Sequence, residues 1–549
     1  MDQPSTSKQT IEDMLGAMAS PRECITVPGE FSLTDRDLFN ILDEGTYPEV
    51  HDEWIDIIEE EVVTTEVIDT QQAGVEASSI WIPGNPTELN TFLFTGNPGI
   101  KQAMSGRQPI NYFNLVFNMD FYTLLLICTN RNGEIIKRNA SGPHARFRRW
   151  QPVTIEEFKV FLGLIMLMGV IKLNRLSDYW KKHYLFDLTF TKYMSRNRFF
   201  MILRALNVQM EAGNQSLNKV KALIDLFNKT MEDLYYPARE VTIDESMILW
   251  TGRLHFRQYL KNKVHKYGIK LYMLAEKHGI CMKIHLYAGS QDQVVGGKDH
   301  VKKVMRVLMS NYVHKGHSLY VDNYYSSVGM AEEFLNKNTY ITGTLQFNRK
   351  GNPVQVINTR LQPNEACIMH NSNNVTVTKW RDKREISFVS TEHNSEYIQT
   401  QNKYGNISFK PKVQVKYNKY MRAVDKHDQM LSYYCAEHKT LRWYKKVIIH
   451  VIQINIINAF LMFNLDRETK ISLYDFRLQM IEFLLPKKPS VERHSVPGRV
   501  HVPDHLPKTG GKKLGKDVGS VIIQQKKSAS LFWLPRLPRP SWVKSGELF

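Results

Sequence analysis

At 549 residues with 42% hydrophobic side chains, the chain holds enough apolar material for three or four domains with sizeable cores, which excludes a short or wholly unfolded polymer. Its formal charge of +17 is uneven: residues 1–80 carry about −16, leaving about +33 on the remainder, a balance that points to nucleic acid as partner. Five cysteines scattered singly (Cys24, Cys128, Cys281, Cys367, Cys435) exclude a disulfide framework and a cysteine-pair zinc site, so a reducing compartment and no zinc are expected.

Residues 1–105 are acidic and short of periodic pattern, and read as mostly disordered; their polar start is unlike a signal peptide. From Asn111 the pattern turns helical, with Phe113, Val116, Phe117, Phe121 and Leu124 to Ile127 on one strongly apolar helix. Thr154 followed by Glu157 is a capping box that opens a helix over Phe158–Val170. The uncharged run Val160 to Ile171 is too short to span a bilayer, and no membrane partner is expected. Ser195 opens another helix, on which Arg196 and Arg198 are candidates for phosphate contacts or for a solvated basic face.

Val241 and Ile243 alternate with Thr242 and Asp244, the period of a half-buried strand. Aspartate is a poor strand former, so Asp244 inside this strand asks for a reason. The basic, aromatic stretch that follows carries Arg253, Arg257, Lys261, Lys263 and Lys266, well placed to hold a DNA backbone beside whatever Asp244 does. Residues 269–276 and 280–288 read as a hairpin around His278-Gly279, and 299–313 as a helix. A short strand then ends in Asp322, followed by a helix over 326–338 and a strand over 340–345. Val375–Trp380 and Ile386–Val389 are short strands of a β-rich insertion, 349–410. Asp425 and Asp428 stand three apart, on one face if their segment is helical. A long, densely apolar helix from about 440 to 465 begins with Arg442, Lys445 and Lys446, and a basic Pro- and Gly-rich tail follows Pro486.

An aspartate at a strand end is most often a turn residue. The order of elements argues otherwise here: three antiparallel strands, helix, strand, helix, strand is the ribonuclease-H-like order, in which the first and fourth strands are neighbours and Asp244 meets Asp322. Such carboxylates suit a pair of Mg²⁺ or Mn²⁺ ions, because hard cations take oxygen ligands, and two of them flank a phosphodiester.

The stretches Met194-Ser-Arg-Asn-Arg-Phe199, Val241-Thr-Ile-Asp-Glu-Ser-Met247, Lys266-Tyr-Gly-Ile-Lys270, Val321-Asp-Asn-Tyr-Tyr-Ser-Ser327 and Val424-Asp-Lys-His-Asp-Gln-Met430 together resemble the piggyBac transposase family over roughly 105–510. The resemblance implies an α/β ribonuclease-H-like catalytic core (239–348 and 411–434) embedded in an α-helical dimerisation and DNA-binding domain (106–238 and 435–508), with a disordered basic tail over 509–549. It implies Asp244, Asp322 and Asp425 as catalytic aspartates with Asp428 as a fourth carboxylate, all ligating divalent metal. It also implies cut-and-paste transposition at TTAA targets by a homodimer acting on double-stranded transposon ends in the nucleus.

Val264 and Ala423 depart mildly from the family pattern. The larger departure is that no cysteine follows Cys435, where the family typically carries a cysteine-rich zinc module that reads transposon ends. Codons for 516–527 read one base out of frame permit a Cys-x-x-Cys pair, which suggests a frameshifted remnant of that module and weak end recognition. Two other readings stand beside the enzyme: a non-catalytic DNA-binding or chromatin protein that keeps the fold, and a decaying genomic copy.

Overall fold

The computed structural model describes residues 80–104, 106–142, 144–210, 216–260, 266–401, 405 and 407–487. The acidic head before 80 and the basic tail beyond 487 lie outside them. Residues 80–104, expected to be disordered, run instead along the body. Trp81–Pro83 (β1) pairs antiparallel with a later strand at 369–371, and Gly99–Ile100 (β2) pairs with Tyr235–Tyr236 (β3). Backbone groups satisfied in this way need no periodic side-chain pattern, which is why the sequence did not announce them.

The apolar helix expected from Asn111 is two helices, Pro109–Val116 (α1) and Met119–Arg138 (α2), bent by 53°. Asn118 makes the break: its side-chain oxygen accepts from the Phe121 N–H and starts a new helix. Thr154 caps Ile155–Val170 (α3) and Ser195 caps Arg196–Ala205 (α4) in the same manner, as expected. Lys221–Leu234 (α5) then leads through β3 into the sheet.

The sheet is built from Glu240–Leu249 (β4), Gln258–Tyr259 (β5), Tyr267–Glu276 (β6), Cys281–Leu286 (β7), Ser318–Val321 (β8) and Tyr340–Leu345 (β9). His300–Met309 (α6) and Val328–Leu335 (α7) make the crossovers to β8 and β9. β4, β6 and β7 are antiparallel; β8 then joins β4 in parallel and β9 joins β8 in parallel. This mixed α/β topology is the ribonuclease-H-like order expected.

The β-rich insertion is not a separate sheet. Ala366–Asn371 (β10), Thr376–Arg381 (β11) and Glu385–Ser390 (β12) extend the central one, because β12 pairs with the free edge of β9. An open edge presents a row of unsatisfied backbone groups, and adding strands to it is one way to close it. Only Tyr397–Gln401 (β13) and Ile407–Pro411 (β14) form a ribbon of their own. Lys412–Tyr420 (α8) and Ala423–Tyr433 (α9) return the chain to β4.

Trp443–Leu465 (α10) and Leu473–Leu484 (α11) complete the helical layer. A longer uncharged run than 160–171 is 447–465, in α10. By length and composition α10 is apolar enough to cross a membrane, yet 94% of its most apolar window is buried in the body. Its few polar groups explain the placement. The fully buried Asn458 accepts from the Cys281 N–H at 2.9 Å and donates to the Cys281 carbonyl at 2.8 Å, pairing backbone at the start of β7 that would otherwise be orphaned. Gln453 likewise accepts from the Ala436 N–H.

Candidate active site

The site grows from the alternation of β4. Side chains two apart share a face of a strand, so Thr242, Asp244 and Ser246 point the same way. All three are buried. The Thr242 hydroxyl donates to the Tyr420 carbonyl at 2.9 Å, and the Ser246 hydroxyl donates to Asp428 Oδ1 at 2.7 Å. The two flanking residues thereby hold the segment 420–428 across this face, and Asp244 lies between the two ties.

Asp322 arrives by register. Ile243 is opposite Val321 in the parallel β4–β8 pair, so Asp244 and Asp322 are the next residues along neighbouring strands, roughly 4.8 Å apart in the pairing direction. Asp322 stands just past the end of β8, where its Oδ1 accepts from the Tyr324 N–H at 2.9 Å. Asp244 Oδ1 accepts from the Glu245 N–H at 2.8 Å.

Asp425 is exposed in the first turn of α9, where the helix dipole favours a negative charge. Asp428 follows one turn later, so the conditional expectation of a shared helical face holds. His427 lies on the other side of α9: fully buried, it sits 2.8 Å from the Gly279 carbonyl through Nδ1, pinning α9 to the β6–β7 turn. Burial pulls its pKa down to about 4.

One hydroxyl reports on three of the carboxylates together. Burial first, and then the charges of Asp322, Asp244 and Asp425, push Tyr417 up to about 12. Tyr417, Ser246 and Thr242 were not singled out from sequence; the strand period could have flagged Thr242 and Ser246 as partners of Asp244. Arg349 was missed as well. It donates to the Asn323 and Tyr324 carbonyls at 2.9 and 2.6 Å and braces the turn that carries Asp322.

Among the described residues no three His, Cys, Asp or Glu side chains are close enough to hold a metal ion by themselves. That is compatible with Mg²⁺, which is usually held by one or two carboxylates and completed by water and substrate phosphate rather than by an all-protein cage. The donor set, drawn from two strands and a helix, is all oxygen, which suits a hard cation. The residues fit the group.

The described members of the ten proposed DNA contacts differ in exposure and in what their donors meet. Arg253 and Lys266 are exposed. Arg257 is half-buried over the Tyr267 ring and donates to the Thr251 carbonyl. Lys261 and Lys263 lie outside the described residues. Arg196 is half-buried, Arg442 exposed, and Lys446 donates to the Leu249 carbonyl.

Two expectations fail. Lys445 is buried and donates to the carbonyls of Leu203 and Arg204 at 2.8 Å each, where it caps the C-terminus of α4; burial, then Arg442 and Arg204, pull its pKa down to about 7. Arg198 is committed to a two-pronged pair with Glu157 at 2.6 and 2.5 Å and lies over Trp150. A cation whose donors are used inside the fold is not available to a phosphate. Basic residues near a helix start look alike in sequence whether they face water or a neighbouring helix.

A family model described as Transposase IS4 matches residues 108–460. The human PiggyBac transposable element-derived protein 3 is 22% identical over 349 residues, covering 60% of this chain and 58% of that protein. The human chimeric ERCC6-PGBD3 protein is also 22% identical over 349 residues, which cover 33% of its length. The chain therefore spans little more than half of the first of these relatives and a third of the second. The human PiggyBac transposable element-derived protein 5 is 20% identical over 402 residues, 69% of this chain and 75% of that one. Among solved structures, a cryo-EM structure of a piggyBac transposase synaptic complex with hairpin DNA has a TM-score of 0.62 at 22% identity, over 80% of this chain and 93% of that chain. That likeness is one of fold.

Proposed function

The chain belongs to the piggyBac transposase family, and from that premise we propose that it is, or descends from, a metal-dependent DNA strand transferase acting through Asp244, Asp322 and Asp425, with Asp428 in support. The observation that carries the reading is the pairing of Ile243 with Val321, which makes two aspartates neighbours at the ends of parallel strands beneath the helix that bears the other two.

Asp244 and Asp322 offer buried and half-buried oxygens, and Asp425 offers an exposed one, open to a phosphate approaching from solvent. These residues would hold Mg²⁺ or Mn²⁺, which when bound neutralises phosphodiester charge and lowers the pKa of a bound water or hydroxyl. Asp428 acts through position: Ser246 fixes its oxygen, and the helix fixes Asp425 one turn away. Arg349 holds the turn after β8 and so orients Asp322. Arg253 and Lys266 are the exposed cations best placed to take the DNA backbone, with Arg257 beside them.

On this reading the substrates are double-stranded element ends and TTAA targets, the working form is a homodimer, and the site of action is the nucleus. The test is a nicking assay on a short end duplex with Mn²⁺. Strand cleavage abolished by Asp244→Asn supports the enzyme, and no cleavage by folded protein at any metal concentration overturns it.

A chain that binds DNA through the same fold without cutting it is the second reading. What favours it is that the exposed cations Arg253 and Lys266 could hold a phosphate backbone with no help from metal or from the aspartates. DNA binding that falls steeply with salt and is indifferent to the aspartate changes would select it.

A further inference from the structure

A cavity of about 590 Å³ opens between α3, α4, the segment 436–442 and the start of α10, away from the aspartates. Its walls are apolar, from Phe147, Met168, Phe200, Leu203 and Ile449. Around them stand the cations Arg146, Arg196, Arg204, Lys439, Arg442 and Lys446. Among the described residues that line it, none is an aspartate or glutamate. His438 is also on the wall, and its Nε2 has no hydrogen-bond partner among the described residues. A hollow of this size is within the range of about 300–1,000 Å³ that takes ligands, and its lining asks for an apolar body surrounded by negative charge.

The chain itself carries such a body. Residues 52–61 read Asp-Glu-Trp-Ile-Asp-Ile-Ile-Glu-Glu-Glu: six carboxylates around Trp54, Ile55, Ile57 and Ile58, with no basic residue. Trp54, Ile57 and Ile58 have the i, i+3, i+4 spacing by which a segment presents one apolar face to a groove. The cavity is complementary in both respects, since apolar side chains gain by leaving water and the carboxylates meet cations on a wall where the described residues include no acid. Reach is sufficient: the described chain begins beside β1, six strand pairings or about 29 Å from β4, whose end at Leu249 meets Lys446 of the cavity wall, and the 18 residues from 62 to 79 can extend about 60 Å.

We propose that residues 52–61 dock in cis into this cavity, with Trp54, Ile57 and Ile58 against its apolar wall and the flanking carboxylates on Lys439, Arg442 and Lys446. On the DNA reading above, which this consequence rests on, the docked segment sets carboxylates where phosphates would otherwise bind, so that the chain shields part of its own basic surface. The docking itself needs neither DNA nor metal.

The experiment is zero-length carbodiimide coupling on the full chain without DNA or metal, read by mass spectrometry. Amide links from Lys439 or Lys446 to carboxylates within 52–61, in species of single-chain mass and at a yield unchanged by dilution, are expected. The full-chain variant W54S/I57S/I58S keeps every carboxylate and should lower that yield at least ~10-fold, because apolar burial holds the segment. Three outcomes overturn the proposal: coupling spread evenly over other exposed lysines such as Lys181 and Lys426, a yield the variant does not change, or links found only between two chains. DNA binding is scored separately by mobility shift, so failure of the docking and failure of the DNA reading remain distinct.

Discussion

The Ser246 hydroxyl donates to Asp428 Oδ1 at 2.7 Å across 182 residues of sequence, and this bond ties the central strand to the helix that completes the acidic site. It matters because β4 and α9 supply different carboxylates. Asp244 is fixed by the sheet, whereas Asp425 and Asp428 depend on how α9 lies on it. Ser246 is therefore a positioning residue, and its loss tests whether the arrangement is functional.

Ser246→Ala should leave the protein folded, at a stability cost of about 1.5–3 kcal/mol for one hydrogen bond to a carboxylate left unmade. Mn²⁺-dependent nicking should drop about 10- to 100-fold, the usual effect of losing a group that orients a metal ligand, and half-saturating Mn²⁺ should rise. A merely structural serine would change stability and leave the metal dependence where it was. Titration of nicking against Mn²⁺ separates the two.

Asp244→Asn and Asp322→Asn should each reduce strand cleavage by more than ~100-fold, since each removes a proposed ligand rather than its support. Both variants should remain folded, because asparagine keeps the side-chain oxygen that accepts from the Glu245 N–H in one case and from the Tyr324 N–H in the other. Cleavage surviving in either variant would remove that residue from the reacting set.

His427 links pH to the seating of α9. Its folded pKa, about 4, lies below the ordinary value of 6.5 because it is buried, so between those values the unfolded chain binds a proton that the folded chain does not. Stability from this group is intact above pH 6.5 and is lost progressively as pH falls towards 4. At about 1.4 kcal/mol per unit the loss amounts to about 3 kcal/mol over that window. Urea unfolding of the wild type and His427→Gln at pH 7 and pH 4.5 checks this. The variant should start less stable at pH 7 and show a smaller fall on acidification.

Among the basic residues the structure separates DNA contacts from internal ones. Arg253→Ala and Lys266→Ala should weaken duplex binding whatever its sequence, and each should reduce the slope of log affinity against log salt by about 1. Arg198→Ala should instead cost about 1–3 kcal/mol in unfolding free energy, through the lost pair with Glu157 and the lost cover of Trp150, and leave the salt slope unchanged. Mobility shifts across a salt series, beside thermal melts, give both numbers. An unchanged slope in Arg253→Ala and Lys266→Ala would move the DNA surface elsewhere.

Much of this was already present in the order of residues. Period-2 alternation around Asp244, capping by Thr154 and Ser195, and the three-residue spacing of Asp425 and Asp428 are local signals, set by backbone geometry within a few residues, and each appears as read. The succession of strands and helices from 240 to 345 was enough to make β4 and β8 neighbours, because parallel strands need a crossover and few topologies allow one.

What the sequence could not settle is everything decided by partners distant in the chain. Lys445 and Arg198 became internal braces only because α4 and α3 lie beside them; Asn458 became a clasp for β7 only because α10 passes through the core. β12 joined the central sheet because β9 offered it an open edge, and 80–104 became ordered because two short strands found backbone partners. In each case a donor or acceptor is committed by what stands opposite it in space, and the same residue types in the same local pattern would have served equally well facing water.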